Sequence, residues 1–171
     1  NPDFSQVEAD AGQIDFNLRY DLFFPEKRPF FLEGNEIFRF AGATEESPLG
    51  AIVHTRTIID PIFGIKLDGK LGTKNTVAAI YARDDLPGDE VDEHPDFSIF
   101  RVKHALKNDS YIGGFYTAKD KGRRFNRIAG SDGRIRLSKT YVAEYHLFGS
   151  FTRIQGEDAT ANGSAMALRY T

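Results

Sequence analysis

The sequence contains no cysteine and no tryptophan, one methionine, and no excess of basic residues. Without cysteine there are no disulfides, no thiolate metal sites and no cysteine nucleophile. With 22 Lys and Arg against 25 Asp and Glu, the formal net charge is −3, so no general basic field exists for nucleic acid. No apolar run approaches the roughly 18 residues of a transmembrane helix. That absence leaves strands untouched, because a transmembrane β-strand needs only about 9–11 residues, alternately apolar and polar. What the chain does have is 16 glycines and 13% aromatic residues, a composition that fits such strands. At 171 residues it is long enough for one domain with a sizeable core. It opens on Asn1 and ends within the alternating stretch Arg169-Tyr170-Thr171, and is expected to be a segment of a longer polypeptide.

Period-two alternation dominates the chain. Ile14, Phe16, Leu18 and Tyr20 share one face, against Asp15, Asn17 and Arg19. Phe63, Ile65, Leu67 and Leu71 oppose Lys66, Asp68 and Lys70, and Phe100, Val102 and Leu106 oppose Arg101 and Lys103. Ala129, Ile135 and Leu137 oppose Asp132, Arg134 and Arg136; Tyr141, Ala143, Tyr145, Leu147 and Phe151 oppose Glu144, His146, Ser150 and Thr152. Thr76–Arg83, Tyr111–Lys119 and Ser164–Tyr170 alternate more weakly, and no window has a convincing helical period. Short turns are expected at 72–75, 107–109 and 138–140, with longer polar loops between them at 84–96, 119–124 and 154–163. Short connections on one side and long ones on the other are the habit of an up-and-down membrane barrel. Tyr111, Tyr141, Tyr145, Phe151 and Tyr170, at or near strand ends, are placed as an interfacial aromatic girdle requires.

The segment FFPEKRPFFLEG, Phe23 to Gly34, interrupts this pattern. Pro25 and Pro29 fix φ and remove backbone donors, and the pairs Phe23-Phe24 and Phe30-Phe31 expose too much apolar surface to stay in water. The segment must dock, and residues 1–48 are expected to hold the irregular parts that cap, plug or line a β-meander over 49–171. Together with NPDFSQVEAD at the start, FFPEKRPFFLEG resembles a bacterial family of unknown function with an outer-membrane β-barrel-like region. That region usually lies behind a carbohydrate-binding-like domain of family nine. HTRTI at His54–Ile58, GIKLDGKLG at Gly64–Gly72 and NRIAGSDGRIRL at Asn126–Leu137 extend the resemblance over most of the chain. HTRTI departs from the family's aromatic-Ser-Arg-Arg form, since Thr57 stands where a second Arg would be. The resemblance implies a location, a barrel type and a link to saccharides, but no catalytic residues.

Five residues are candidates for ligand binding: Glu26, Lys27, Arg28, Glu33 and Arg56. They supply a charged cluster for an anionic or sugar ligand; the plainer reading is that Glu26 and Arg28 pair with strand charges and pin a plug, with the phenylalanines as anchors. Asp84, Asp85, Asp89, Glu90 and Asp92 are candidate ligands for Ca²⁺, a hard cation that takes oxygen donors. Their spacing is not that of an EF-hand, and the competing reading is a solvated loop. Lys121, Arg123 and Arg124, with Arg127 nearby, make a basic loop suited to lipopolysaccharide phosphates or simply to water. The four histidines lack zinc spacing, GSDG lacks the nucleophile-elbow form, and Gly113-Gly114 marks a bulge or close packing rather than a phosphate loop.

These readings converge on an all-β chain: an antiparallel up-and-down meander of outer-membrane β-barrel type, about eight strands, forming one arc of a larger barrel. The expected role is a channel, transporter or surface-anchoring platform in the bacterial outer membrane, in contact with lipid and lipopolysaccharide, linked to saccharide, and without nucleic acid; no catalytic residue is assigned. The alternative is a soluble β-sheet carbohydrate-binding module. A glycoside hydrolase, which needs two carboxylates about 5–10 Å apart, ranks last.

Overall fold

A computed structural model of the protein describes residues 26–42, 52, 53, 55–58, 61–85 and 94–154, and the backbone pairing of 160–170. The expected strand at Ile14–Tyr20, the pair Phe23-Phe24 and Pro25 lie outside the described residues. Seven strands run β1 Pro61–Leu71, β2 Asn75–Asp84, β3 Asp96–Ala105, β4 Tyr111–Lys121, β5 Arg124–Arg136, β6 Val142–Arg153 and β7 Thr160–Tyr170. They form a single antiparallel sheet in which each strand pairs with its sequence neighbours. Among the described residues β1 and β7 do not meet, so the sheet is open.

The connections correct the sequence expectations in two places, the first being the loop expected over 154–163, which ends by Thr160, where β7 begins and pairs with Arg153. The long polar loop expected over 119–124 does not exist: β4 runs to Lys121, β5 begins at Arg124, and these two residues pair across a two-residue turn. Gly122 takes a left-handed φ of 56° there, which lets a hairpin close this tightly. At the opposite end Asn108 and Asp109, with φ of 58° and 57°, turn β3 into β4; both residue types tolerate that region.

Register and alternation separate the sheet into two unlike faces. One carries Lys66, Ala78, Ile80, Ala82, Phe97, Ile99, Arg101, Lys103, Phe115, Asp132, Glu144 and His146. The segment 26–42 lies across this face as a strap. Its Phe31 and Phe38, with Ile58, bury against Ala78, Ile80, Ala82, Phe97 and Ile99. Pro29 opens a one-turn helix, α1 Pro29–Leu32, at the position where its missing N–H costs nothing. The other face is open. It carries Ile65 and Leu67, which are 62% and 66% exposed, with Phe100, Ile112, Tyr116, Leu147 and Phe151.

Candidate functional site

The strap crosses the strands from β1 towards β6, and cations of the sheet meet its backbone along the way. Lys66 on β1 donates from Nζ to Phe30 O at 3.0 Å and also to Glu33 O. Lys103 on β3 donates to Glu36 O at 3.3 Å. Arg101, one pleat along the same strand, donates to Ile37 O and Arg39 O, both at 3.4 Å. These contacts read carbonyls rather than side chains, so they fix the path of the strap.

The far end of the strap is held by a buried latch. The Arg101 guanidinium forks onto Asp132, Nη1 to Oδ1 at 2.5 Å and Nη2 to Oδ2 at 2.8 Å. Asp132 Oδ2 also accepts Ala41 N–H at 2.9 Å and the Tyr111 hydroxyl at 3.1 Å. His146 Nε2 contacts Ala41 O, so both backbone groups of Ala41 are engaged. Phe40 lies under the Arg101 guanidinium, 5.0 Å from its ring centroid, and packs edge-on to Phe115 at 4.5 Å. Arg101 is 1% exposed and Asp132 0%; two charges this deep persist because hydrogen bonds meet them on every side.

Arg101 sits on β3 and Asp132 on β5, so their pair reaches over β4. Gly113 is the β4 residue beneath it: a Cβ there would lie 2.7 Å from Asp132 Oδ1 and 2.9 Å from Arg101 Nη1. Gly113 therefore marks close packing, whereas a Cβ at Gly114 would make only ordinary contacts, and the register is continuous with no bulge on either side.

The near end of the strap is a second knot. Glu26 Oε1 accepts Arg28 Nε at 2.8 Å, and Oε2 accepts Arg28 Nη2 at 2.8 Å and Thr55 Oγ1 at 2.6 Å. Arg28 also donates to Ile58 O at 2.7 Å and Thr55 O at 2.9 Å, and its guanidinium lies 4.3 Å from the Phe31 ring centroid. Burial pushes the Glu26 carboxyl up, and the donors from Arg28 and Thr55 outweigh it, leaving the group below its ordinary range.

The candidate ligand residues are thus only partly brought together. Glu26 and Arg28 pair with each other and with the turn at Thr55–Thr57, not with strand charges as the plug reading expected. Lys27 and Glu33 are exposed, Glu33 contributing its carbonyl to Lys66. Arg56 belongs to the Thr55–Thr57 turn by its backbone, and its side chain lies outside the described residues. The sequence reading put Arg101, Asp132 and His146 on the polar face but did not join them, and it assigned Tyr111 to the aromatic girdle. Tyr111 instead points into the latch.

For the acidic candidates, Asp84 is not part of a solvated loop. It ends β2, is 0% exposed, and its N–H donates to Pro95 O at 2.9 Å. Asp85 is exposed and lies 3.3 Å from His94 Nδ1; Asp89, Glu90 and Asp92 lie outside the described residues. Among the described residues no three acidic or histidine side chains are grouped to hold a metal ion.

On the open face of β1–β6, the charged strand residues are Arg83, Asp96, Asp120, Arg127 and Arg153. All five sit at one end of the sheet, where β2 leads to β3 and β4 turns into β5. Compared with protein families, curated proteins and solved structures, the chain has no match.

Proposed function

We propose that this chain is part of the wall of a bacterial outer-membrane β-barrel, with the open face towards lipid and the strapped face towards the lumen. The observation that carries this reading is that the covered face buries charge beside its apolar core while the uncovered face exposes large apolar side chains. In a water-soluble single sheet the covered face is apolar and the uncovered face polar. Here buried Arg101, Asp132 and His146 lie under the strap, while Leu67 and Leu147 stand 66% and 51% exposed on the uncovered side. The confinement of open-face charges to one end leaves the rest of that face without a charged strand residue in β1–β6. Ala143 to Phe151 on β6 spans about 27 Å of strand, or about 20 Å of height at a usual tilt, against an apolar band of about 25 Å in such barrels. The strands of 10 to 13 residues in β1–β6 are long enough to cross.

On this reading the strap is a built-in plug, and the role is control of passage through a channel or transporter. Its seat is part apolar, at Phe31 and Phe38, and part polar, at the latch, so one end can lift while the other stays docked. The resemblance carried by FFPEKRPFFLEG points to the same membrane and adds a saccharide as the proposed cargo or ligand class.

The test is folding as a function of lipid. The chain is expected to gain β structure only with detergent or bilayer, and to migrate differently in gels when unheated and heated. A monodisperse chain that melts cooperatively in plain buffer would overturn the proposal.

A further inference from the structure

The charged end of the open face holds a feature that the plugged-barrel reading leaves unused. Phe125, Arg127 and Arg153 lie side by side there. Phe125 pairs with Arg153 across β5 and β6, and Arg127 is one pleat further along β5 on the same face. Both guanidinium groups lie over the one ring, Arg127 at 4.6 Å and Arg153 at 5.3 Å from its centroid. Stacking of this kind orients the planar groups and leaves their N–H edges pointing outward. Asp120 takes Nε and Nη2 of Arg127 at 3.0 and 2.8 Å, which fixes that fork further. The adjoining turn adds Arg123, while Lys121 and Arg124, the pair that closes it, alternate onto the strapped face, and on the open face Asp96 lies opposite Asp120 and pairs with Arg83. Immediately below on the same face come Phe151, Ala129 and Tyr116, the start of the apolar surface.

We infer that Arg127 and Arg153, braced by Phe125, form a binding site for the phosphate of an anionic membrane lipid. This inference rests on the membrane reading of the open face. The chemistry is that of the Arg153 guanidinium and the Nη1–Nη2 end of Arg127, whose Nε–Nη2 edge Asp120 already holds; such groups match phosphate oxygens by charge-assisted hydrogen bonds. The height is that of a headgroup, because the cations stand at the boundary between the apolar surface and the charged end. A lipid fits better than a free anion, since its acyl chains would lie along Phe151 and Tyr116 while its phosphate meets the arginines. The arrangement also gives Arg127 and Arg153 a role at the one end of this face where its charged strand residues gather.

The experiment uses the full chain folded into phosphatidylcholine vesicles containing a minor fraction of either phosphatidylglycerol or lipid A. Co-purifying lipid is measured by native mass spectrometry, and folding by the heat-dependent gel shift in pure phosphatidylcholine. Wild type is expected to retain the anionic lipid over phosphatidylcholine, and the Arg127→Gln/Arg153→Gln variant to retain about thirtyfold less, each surface cation contributing about a factor of five. The Arg127→Lys/Arg153→Lys variant keeps the charge but not the forks, and is expected to fall between them. It also serves as the readout if the glutamine variant does not fold. Equal retention by wild type and the glutamine variant, or displacement of the lipid by inorganic phosphate alone, would overturn the site while leaving the barrel reading standing. Failure of wild type to insert into pure phosphatidylcholine would overturn the barrel reading, and this site with it.

Discussion

Glu26 shows how a single carboxylate sets the near end of the strap. Burial opposes its charge, but hydrogen bonds from the Arg28 guanidinium, the Thr55 hydroxyl and the Arg28 N–H favour it more, and its folded pKa lies below the ordinary 4.5. A group depressed on folding contributes stability above its unfolded pKa and loses it as the pH falls through the folded value. The stability difference between wild type and Glu26→Gln, from denaturant unfolding in lipid or detergent, is therefore expected to be constant at neutral pH and to shrink on acidification below 4.5. A difference that persists unchanged through acid titration would contradict this account. The sequence pointed to Glu26 and Arg28 because charges between two prolines and two phenylalanines have to be placed somewhere. It could not say where, since their partner Thr55 is 29 residues from Glu26 and no periodicity links an irregular segment to a distant turn.

At the scale of elements, alternation made the strands and their faces legible. The side chains on one face of β3, β5 and β6, and of β1 from Phe63 onward, follow from a period of two, and the register keeps it so across the sheet; the exception is the irregularity between Pro61 and Phe63. The strap was legible only as something that must dock. The latch was harder, because Arg101 and Asp132 are 31 residues apart and meet across an intervening strand. The local trace of that meeting is Gly113, a strand position with no side chain where two neighbours need the space. The latch also makes a prediction about the strap. Asp132→Ala leaves the Arg101 guanidinium buried without its partner and is expected to cost about 3–5 kcal/mol. It should also free Ala41, so that trypsin cuts faster after the exposed Arg39. Replacing the pair together, Arg101→Met with Asp132→Leu, is expected to recover most of the stability, since a buried ion pair exchanged for apolar groups is often close to neutral. Cleavage after Arg39 should remain fast, because Ala41 N–H has lost its acceptor. Slow cleavage in the paired variant would mean that the aromatic seat at Phe38 and Phe40, and not the latch, holds that end down.

For the whole molecule the deciding question is what covers the open face. From sequence alone, an apolar face and a charged face fit a membrane wall and a soluble sandwich equally, because each needs one dry and one wet side. The strap breaks that symmetry by burying Arg101, Asp132 and His146 on the charged face, so the apolar one is left for another medium. This makes Leu147 informative, as it stands mid-strand on β6 and is 51% exposed. In water, Leu147→Arg at so exposed a site is expected to change stability by no more than about 0.5 kcal/mol. In a bilayer, near the midplane, it is expected to cost about 2–4 kcal/mol, and Phe151→Arg, beside the charged end, only about 0–1 kcal/mol. The two variants share a strand, a face and similar exposure, so a difference between them reads depth and little else. Unfolding in lipid vesicles that gave equal small costs at both positions would remove the lipid from the open face. A steep cost at Leu147 that fades at Phe151 would place the charged end at a bilayer boundary, with the strap closing the side away from the lipid.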